Sequence, residues 1–207
     1  MQHWVEAQQG GVSVAIVPVD APLVTFGDIV RGKWPKDFDE RDGDIFSYVM
    51  NNYYFTNWPA AQGGEFTFRY VLTSGQDLTP ESLSQLGRAE LSPLEVDEII
   101  SNDKAIPSSS PLPADRASFL EIDQPNVVLV TWKVAEDGDG MVLRFLEVAG
   151  KAGRVDVRIP LLDPKSAWSC NLMEQNGDSL PLSAHGFSFA VKPFQIITVR
   201  VKGTSAL

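Results

Sequence analysis

Apolar and polar residues alternate with a period of two through most of the chain. Val12, Val14 and Ile16 share one face of a first predicted strand. Phe66, Phe68, Tyr70 and Leu72 share a face opposite Thr67, Arg69 and Thr73. Val128, Val130, Trp132 and Val134 repeat the pattern, as do Val155, Val157 and Ile159 around Asp156 and Arg158. Near the end, Phe187, Phe189 and Val191 make one predicted strand, and Ile197, Val199 and Val201 another. Successive side chains of a strand point to opposite faces, so this period predicts half-buried strands. Each run is short and bounded by Gly, Pro, Asn or Asp, the pattern of an antiparallel sandwich. Asp137-Gly138-Asp139-Gly140 predicts a hairpin turn between Val134 and Val142.

One helix breaks the alternation. Thr79 can cap it, Pro80 suits its first position, and Glu81 complements the N-terminal end of the dipole. The pattern predicts a run to about Arg88, with Gly87 weakening the last turn. Ala105 to Ala114 holds three prolines and three serines, the composition of an exposed loop. The predicted fold class is all-β: antiparallel β-sandwiches with one short helix in the connection. Residues 1–75 read as the terminal strands of a larger, supersandwich-like β unit, 76–117 as the helix and a Pro/Ser-rich connection, and 118–207 as a small C-terminal β-sandwich. The first block is too short to close a sheet alone. It calls for strands from elsewhere, or for self-association through an exposed sheet edge.

Length and charge narrow the partners. At 207 residues the chain can bury a sizeable core. A net charge of −10 disfavours DNA and RNA, and no basic cluster offers a local exception. Neutral partners such as sugars remain open. The single cysteine, Cys170, rules out an intrachain disulfide and reads as a small buried residue on a strand. Met1 to Gly11 has no basic start and apolar run of a secretory signal, and no stretch nears the roughly 20 apolar residues of a membrane span. These features predict a soluble chain and leave its compartment open.

Catalytic constellations are hard to find. Glycoside hydrolysis usually needs two carboxyl groups flanking the bond. Asp20 and Asp28 sit in one loop, Val19 to Asp28, yet turn capping accounts for both. His3 and His185 are not at metal-ligand spacing, and Asp137 with Asp139 lacks the other oxygens of a calcium loop. Neither a nucleophile elbow nor a phosphate-cradling loop is present. The chain's own residues predict no catalytic set and no metal site.

The segment Asn51-Asn52-Tyr53-Tyr54-Phe55-Thr56-Asn57-Trp58 stands apart. Aromatic rings offer apolar faces to sugar C–H groups, and asparagine amides can pair with hydroxyls. The plainer reading makes most of these rings core and the amides loop ties. Both readings stay open from the residues alone.

Three stretches together resemble glycoside hydrolase family 38, the α-mannosidases. They are Asp20-Ala21-Pro22-Leu23 with Gly27-Asp28; Tyr48 to Asn57 followed by Gln62-Gly63-Gly64 and Phe66 to Tyr70; and a tail including Leu143 to Glu147, Asn171 to Glu174 and Val191 to Arg200. Their order and separation are similar to those of the family's C-terminal β domains. The resemblance implies a parent that is a retaining α-mannosidase, with an aspartate nucleophile and a zinc ion in an N-terminal catalytic domain absent from this chain. It implies no cofactor here. It makes Asp20, Asp28, Asn51, Asn52, Tyr54, Asn57 and Trp58 candidates for the catalytic-domain interface or the edge of a site for mannose-containing glycans. The expected function is therefore a non-catalytic segment that packs on and shapes that domain. A stand-alone, lectin-like carbohydrate-binding module and a purely structural interaction domain are the competing readings.

Overall fold

A computed structural model describes residues 3–27, 43–50, 61–98 and 116–205. The chain divides into two compact units, Met1–Glu95 and Val96–Leu207.

The first unit is built on a three-stranded antiparallel sheet. Strand β1 (Val5–Gln9) turns at Gly10 and Gly11, both at positive φ, into β2 (Val12–Pro18). A small hairpin follows, β3 (Val24–Phe26) with β4 (Ile45–Ser47). Strand β5 (Tyr70–Gly75) then returns to β2, giving the order β1-β2-β5. Helix α1 (Pro80–Leu91) follows. Its N-cap is Thr79, whose hydroxyl accepts from the Ser82 N–H while the Ser82 hydroxyl accepts from the Thr79 N–H. This is a capping box with serine in place of the usual glutamate.

The helix outruns the expected end at Arg88 and reaches Leu91. Gly87 does not fray it, because Gly87 serves packing. A Cβ there would lie 2.8 Å from His3 Cβ, so the absent side chain lets the N-terminal segment cross the helix. The neighbouring Trp4 indole donates to Ser84 Oγ at 3.2 Å.

The sheet faces are inverted relative to the hydrophobic expectation. Val12, Val14 and Ile16 do share a face, but Ser13, Ala15 and Val17 on the opposite face are buried, and on their own face only Pro18, at the end of β2, is. Helix α1 packs on β2 and buries Leu83, Ser84 and Gly87. Small side chains on both elements allow close approach, so the helix takes the face with the smaller residues. The larger valines are left outside, Val12 44% and Val14 42% exposed. The predicted strand from Phe66 to Thr73 is likewise shorter. Pairing starts at Tyr70, and Leu72 is 67% exposed.

The second unit is a sandwich. Its described strands are β6 (Glu121–Ile122), β7 (Val127–Val134), β8 (Met141–Glu147), β9 (Gly153–Arg158), β10 (Leu162–Cys170), β11 (Asn176–Ser179), β12 (Leu182–Ser183), β13 (Gly186–Val191) and β14 (Ile196–Ser205). A five-stranded sheet, β11-β10-β14-β8-β7, faces a four-stranded sheet, β12-β13-β9-β6, and all their pairings are antiparallel. The predicted inward residues Val155, Val157, Ile159, Phe187, Phe189, Val191, Ile197, Val199 and Val201 all lie in the core. Phe145, Phe187 and Phe189 meet there, with ring centroids 5.2 to 6.4 Å apart. Full burial of each such side chain stabilises by roughly 1.5–3 kcal/mol. The fold class is therefore all-β, as expected.

Strand β7 departs from the expected register. Its pairing with β8 shifts between Leu129 and Thr131. Val127 and Leu129 face the core before this bulge and Trp132 after it, while Val130 and Val134 are exposed. One extra residue on a strand reverses the phase of a period-two pattern. The turn that follows is the predicted one: Ala135 N–H donates to Gly140 O at 3.0 Å, with Gly138 and Gly140 both at positive φ. Cys170 ends β10 half-buried, less enclosed than expected, and burial pushes its thiol pKa up.

Candidate interaction site

Antiparallel partners place their side chains on the same side of a sheet. Opposite the helix, the first unit therefore gathers Val5, Ala7 and Gln9 from β1, Val12, Val14, Ile16 and Pro18 from β2, and Tyr70, Leu72 and Ser74 from β5. None of these ten residues is charged. The β3–β4 hairpin lies against one end of this face, where the Ser47 and Tyr70 hydroxyls share a hydrogen bond of 2.7 Å. Gly43 to Ile45, entering β4, form the wall of an open cleft of about 960 Å³ floored by Val12, Val14 and Ile16. Gln8, Gln9 and Asp44 give it polar edges. Val12, Val14 and Leu72 on this face are exposed.

Of the candidate residues, the structure describes Asp20. It lies between β2 and β3 and is clamped by Arg69. The Arg69 backbone N–H donates to Oδ2 at 2.7 Å, Nε to Oδ2 at 2.9 Å, and Nη2 to Oδ1 at 2.8 Å. With Val19 N–H donating to Arg69 O at 3.0 Å, the clamp fixes the loop to the residue entering β5. The guanidinium hydrogen bonds hold the Asp20 carboxyl down at about 2. A carboxylate so held is a poor proton donor near neutrality, and its lone pairs are engaged. Its geometry is that of a loop tie. Asp28, Asn51, Asn52, Tyr54, Asn57 and Trp58 lie outside the described residues. Tyr48, Val49 and Met50, which lead into Asn51, are exposed.

The second unit holds two polar centres that the alternation pattern gave no reason to single out. Glu147, 0% exposed, accepts from Asn126 Nδ2 and from the backbone N–H groups of Ala149, Gly150 and Phe194, each at 2.8 Å. Burial pushes its pKa up, but these hydrogen bonds prevail and bring it down to about 2. On the outer side of the five-stranded sheet, buried Arg200 donates from Nη1 to Asp137 at 2.7 Å and from Nη2 to Glu174 O at 3.0 Å. Glu174 is itself buried, accepting from the Glu136 N–H and pairing with Lys133 at 2.7 Å. Asp139 pairs with Lys202.

These buried carboxylates are saturated by donors and therefore tie loops to strands. His185, at positive φ, donates from Nδ1 to Leu162 O at 3.2 Å. Among the described residues, no group of three or more His, Cys, Asp or Glu is gathered to hold a metal ion. No described helix is long and apolar enough to cross a membrane.

Residues 126–199 match the model of the glycosyl hydrolases family 38 C-terminal beta sandwich domain. The match runs from the residue before β7 into β14 and leaves out β6. No curated protein matches the chain. Residues 126–199 of the second unit are thus similar to the family 38 C-terminal beta sandwich domain.

Proposed function

We propose that the chain serves as the non-catalytic C-terminal β region of an α-mannosidase-like family 38 glycoside hydrolase, packing on a catalytic domain and helping to shape its sugar site. The family 38 match over residues 126–199 carries this reading. Two features of the described residues support it. The carboxylates that burial could have tuned for acid–base work, Glu147 and Glu174, are consumed by structural hydrogen bonds. The first unit presents an uncharged apolar face with a cleft beside it, a surface suited to covering by another protein. On this reading the acid, the nucleophile and the zinc ion belong to the catalytic domain. On the same reading, the segment from Asn51 to Trp58 and the loop from Asp20 to Asp28 are the candidates for the catalytic-domain interface or the edge of the sugar site.

The test pairs the purified chain with a separately produced family 38 catalytic domain. Calorimetric titration is expected to show a complex, and the chain alone is expected to leave an aryl α-mannoside intact. Cleavage by the chain alone, lost on substitution of its own carboxylates, overturns the reading. Titration with mannose and short manno-oligosaccharides separates the lectin-like alternative. We expect no saturable binding, and a micromolar dissociation constant would favour the independent module.

A further inference from the structure

We propose that Asn176 is a self-modifying site: it deamidates within the folded chain through attack by the Gly177 backbone nitrogen, and the isoaspartyl product releases edge strand β11 and uncovers Cys170.

Sequence and position coincide at this residue. Of the seven asparagines in the chain, Asn176 alone is followed by glycine; the others precede Asn52, Tyr53, Trp58, Asp103, Val127 and Leu172. Glycine carries no Cβ to block the approach of its own nitrogen to the preceding side chain, and its backbone reaches conformations closed to other residues. Asn176 and Gly177 are both exposed. They begin β11, a strand of 4 residues at the edge of the five-stranded sheet. Its register on β10 shifts between the pair of Cys170 with Asn176 and the pair of Trp168 with Ser179. Extended backbone holds the nitrogen away from the side-chain carbonyl, so the reaction draws on local opening, which costs least at such an edge. Little holds the amide itself. Its Oδ1 accepts from the Cys170 thiol, a weak donor, at 3.5 Å. Asn126, by contrast, is buried and donates to Glu147. Asn171 donates to the Gln175 side chain, and its Oδ1 accepts from the Met173 and Gln175 N–H groups.

The step balances with water as the sole co-reactant. The Gly177 nitrogen loses its proton and bonds to Asn176 Cγ. The Cγ–Nδ2 bond breaks and ammonia leaves with that proton, closing a succinimide. Water then opens the ring at either carbonyl, giving aspartate or isoaspartate. The isoaspartyl main chain runs through the former side chain and is longer by a carbon, so the pairing of β11 with β10 is lost. The contact that Asn176 makes with the Cys170 thiol goes with it.

Incubation of the full chain at 37 °C, at pH 6.5 and 8.5, tests this by peptide mapping with mass spectrometry and enzymatic methylation of isoaspartate. The Asn176 peptide is expected to show the amide-to-acid exchange first, and severalfold faster at pH 8.5, because the attacking nitrogen must lose its proton. The half-buried Cys170 thiol is expected to react severalfold faster with a maleimide in the isoaspartyl fraction. Asn176→Gln, whose longer side chain closes a ring far more slowly, is expected to keep thiol reactivity constant over the same period, and far-UV circular dichroism checks its fold. Asn176 left intact while a free peptide of residues 171–179 converts overturns the proposal, as does faster conversion at another asparagine. An isoaspartyl fraction whose Cys170 reacts no faster than that of the unaltered chain overturns the release of β11.

Discussion

The backbone N–H of Phe194 donates to the Glu147 carboxylate at 2.8 Å, joining two turns 47 residues apart in the chain. The same oxygen accepts from Gly150, and the other accepts from Ala149 and Asn126. One buried carboxylate thus holds the β8–β9 turn and the β13–β14 turn against the start of β7. The conformations it supports are specific. Phe194 sits at φ 56 with its side chain largely exposed, and its ring lies so near Gly150 that a Cβ there would come within 2.8 Å. A left-handed phenylalanine persists when its surroundings over-determine it, and here they do.

Glu147→Gln places an amide NH₂ among N–H donors and removes the charge that organises them. Loss of a buried, multiply hydrogen-bonded carboxylate costs on the order of 2–4 kcal/mol. Urea unfolding followed by circular dichroism is expected to show a loss of that size with little change in m. A loss well below 1 kcal/mol would mean that the donors find water instead.

Acid should expose the same clamp. The Glu147 pKa falls from 4.5 to about 2 on folding. A depressed folded-state pKa contributes stability that is fully present above the unfolded value and is lost as pH falls through the folded one. Thermal midpoints are therefore expected to drop between pH 4.5 and 2, and Glu147→Gln to flatten that part of the profile. Asp137, Asp163 and Glu174, also lowered, pull the same way, so the variant retains a residual slope.

The second unit was nearly readable from alternation because both its sheets bury one face against the other. Phe187, Phe189, Val155 and Val157 are inward for the reason their spacing suggests. Strand β7 was misread because a bulge is set by pairing with β8, which the local pattern of Val128 to Val134 does not encode. In the first unit the pattern found the correct faces of β2 and assigned them the wrong environments. Burial there follows the helix, and the helix selects Ser13, Ala15 and Val17 through close packing at Ser84 and Gly87. Arg69 was legible as a polar position on a strand, but not as the partner of Asp20, 49 residues away. The clamp at Glu147 is likewise illegible in the local pattern, since its donors come from three separate turns.

Two glycines in the second unit should respond oppositely to the same change. A Cβ on Gly186 would stand 2.1 Å from Val157 O, a backbone atom in the paired strand that cannot swing aside. Gly153, at the other end of the same β9–β13 ladder, meets nothing within 4 Å. Gly186→Ala is expected to destabilise by about 2–4 kcal/mol through forced strand separation. Gly153→Ala is expected to be neutral or to stabilise by up to about 1 kcal/mol, because alanine narrows the unfolded ensemble. Equal effects in thermal unfolding would refute this account of the ladder.

Beneath α1, the Ser13 hydroxyl is buried without a hydrogen-bond partner. An unsatisfied buried hydroxyl costs about 1–3 kcal/mol, and alanine fills most of the same space. Ser13→Ala is expected to stabilise the first unit by about 1 kcal/mol. Amide exchange at Ala15 and Val17 can localise the gain, which should be absent from the β8 and β14 amides of the second unit.

Asp20 offers the sharpest test of whether a sequence candidate acts as a loop tie or a reactive group. Its carboxyl titrates at about 2 because Arg69 donates to it three times. Carboxyl-carbon NMR is expected to show Asp20 ionised down to that region. Arg69→Gln removes the guanidinium and should return the pKa towards 3.8, while the backbone N–H bond from residue 69 remains. Both groups sit at the surface, so the thermal midpoint should move little. An Asp20 pKa raised above 5 in the unaltered chain would reverse the assignment and mark a carboxyl held protonated for chemistry.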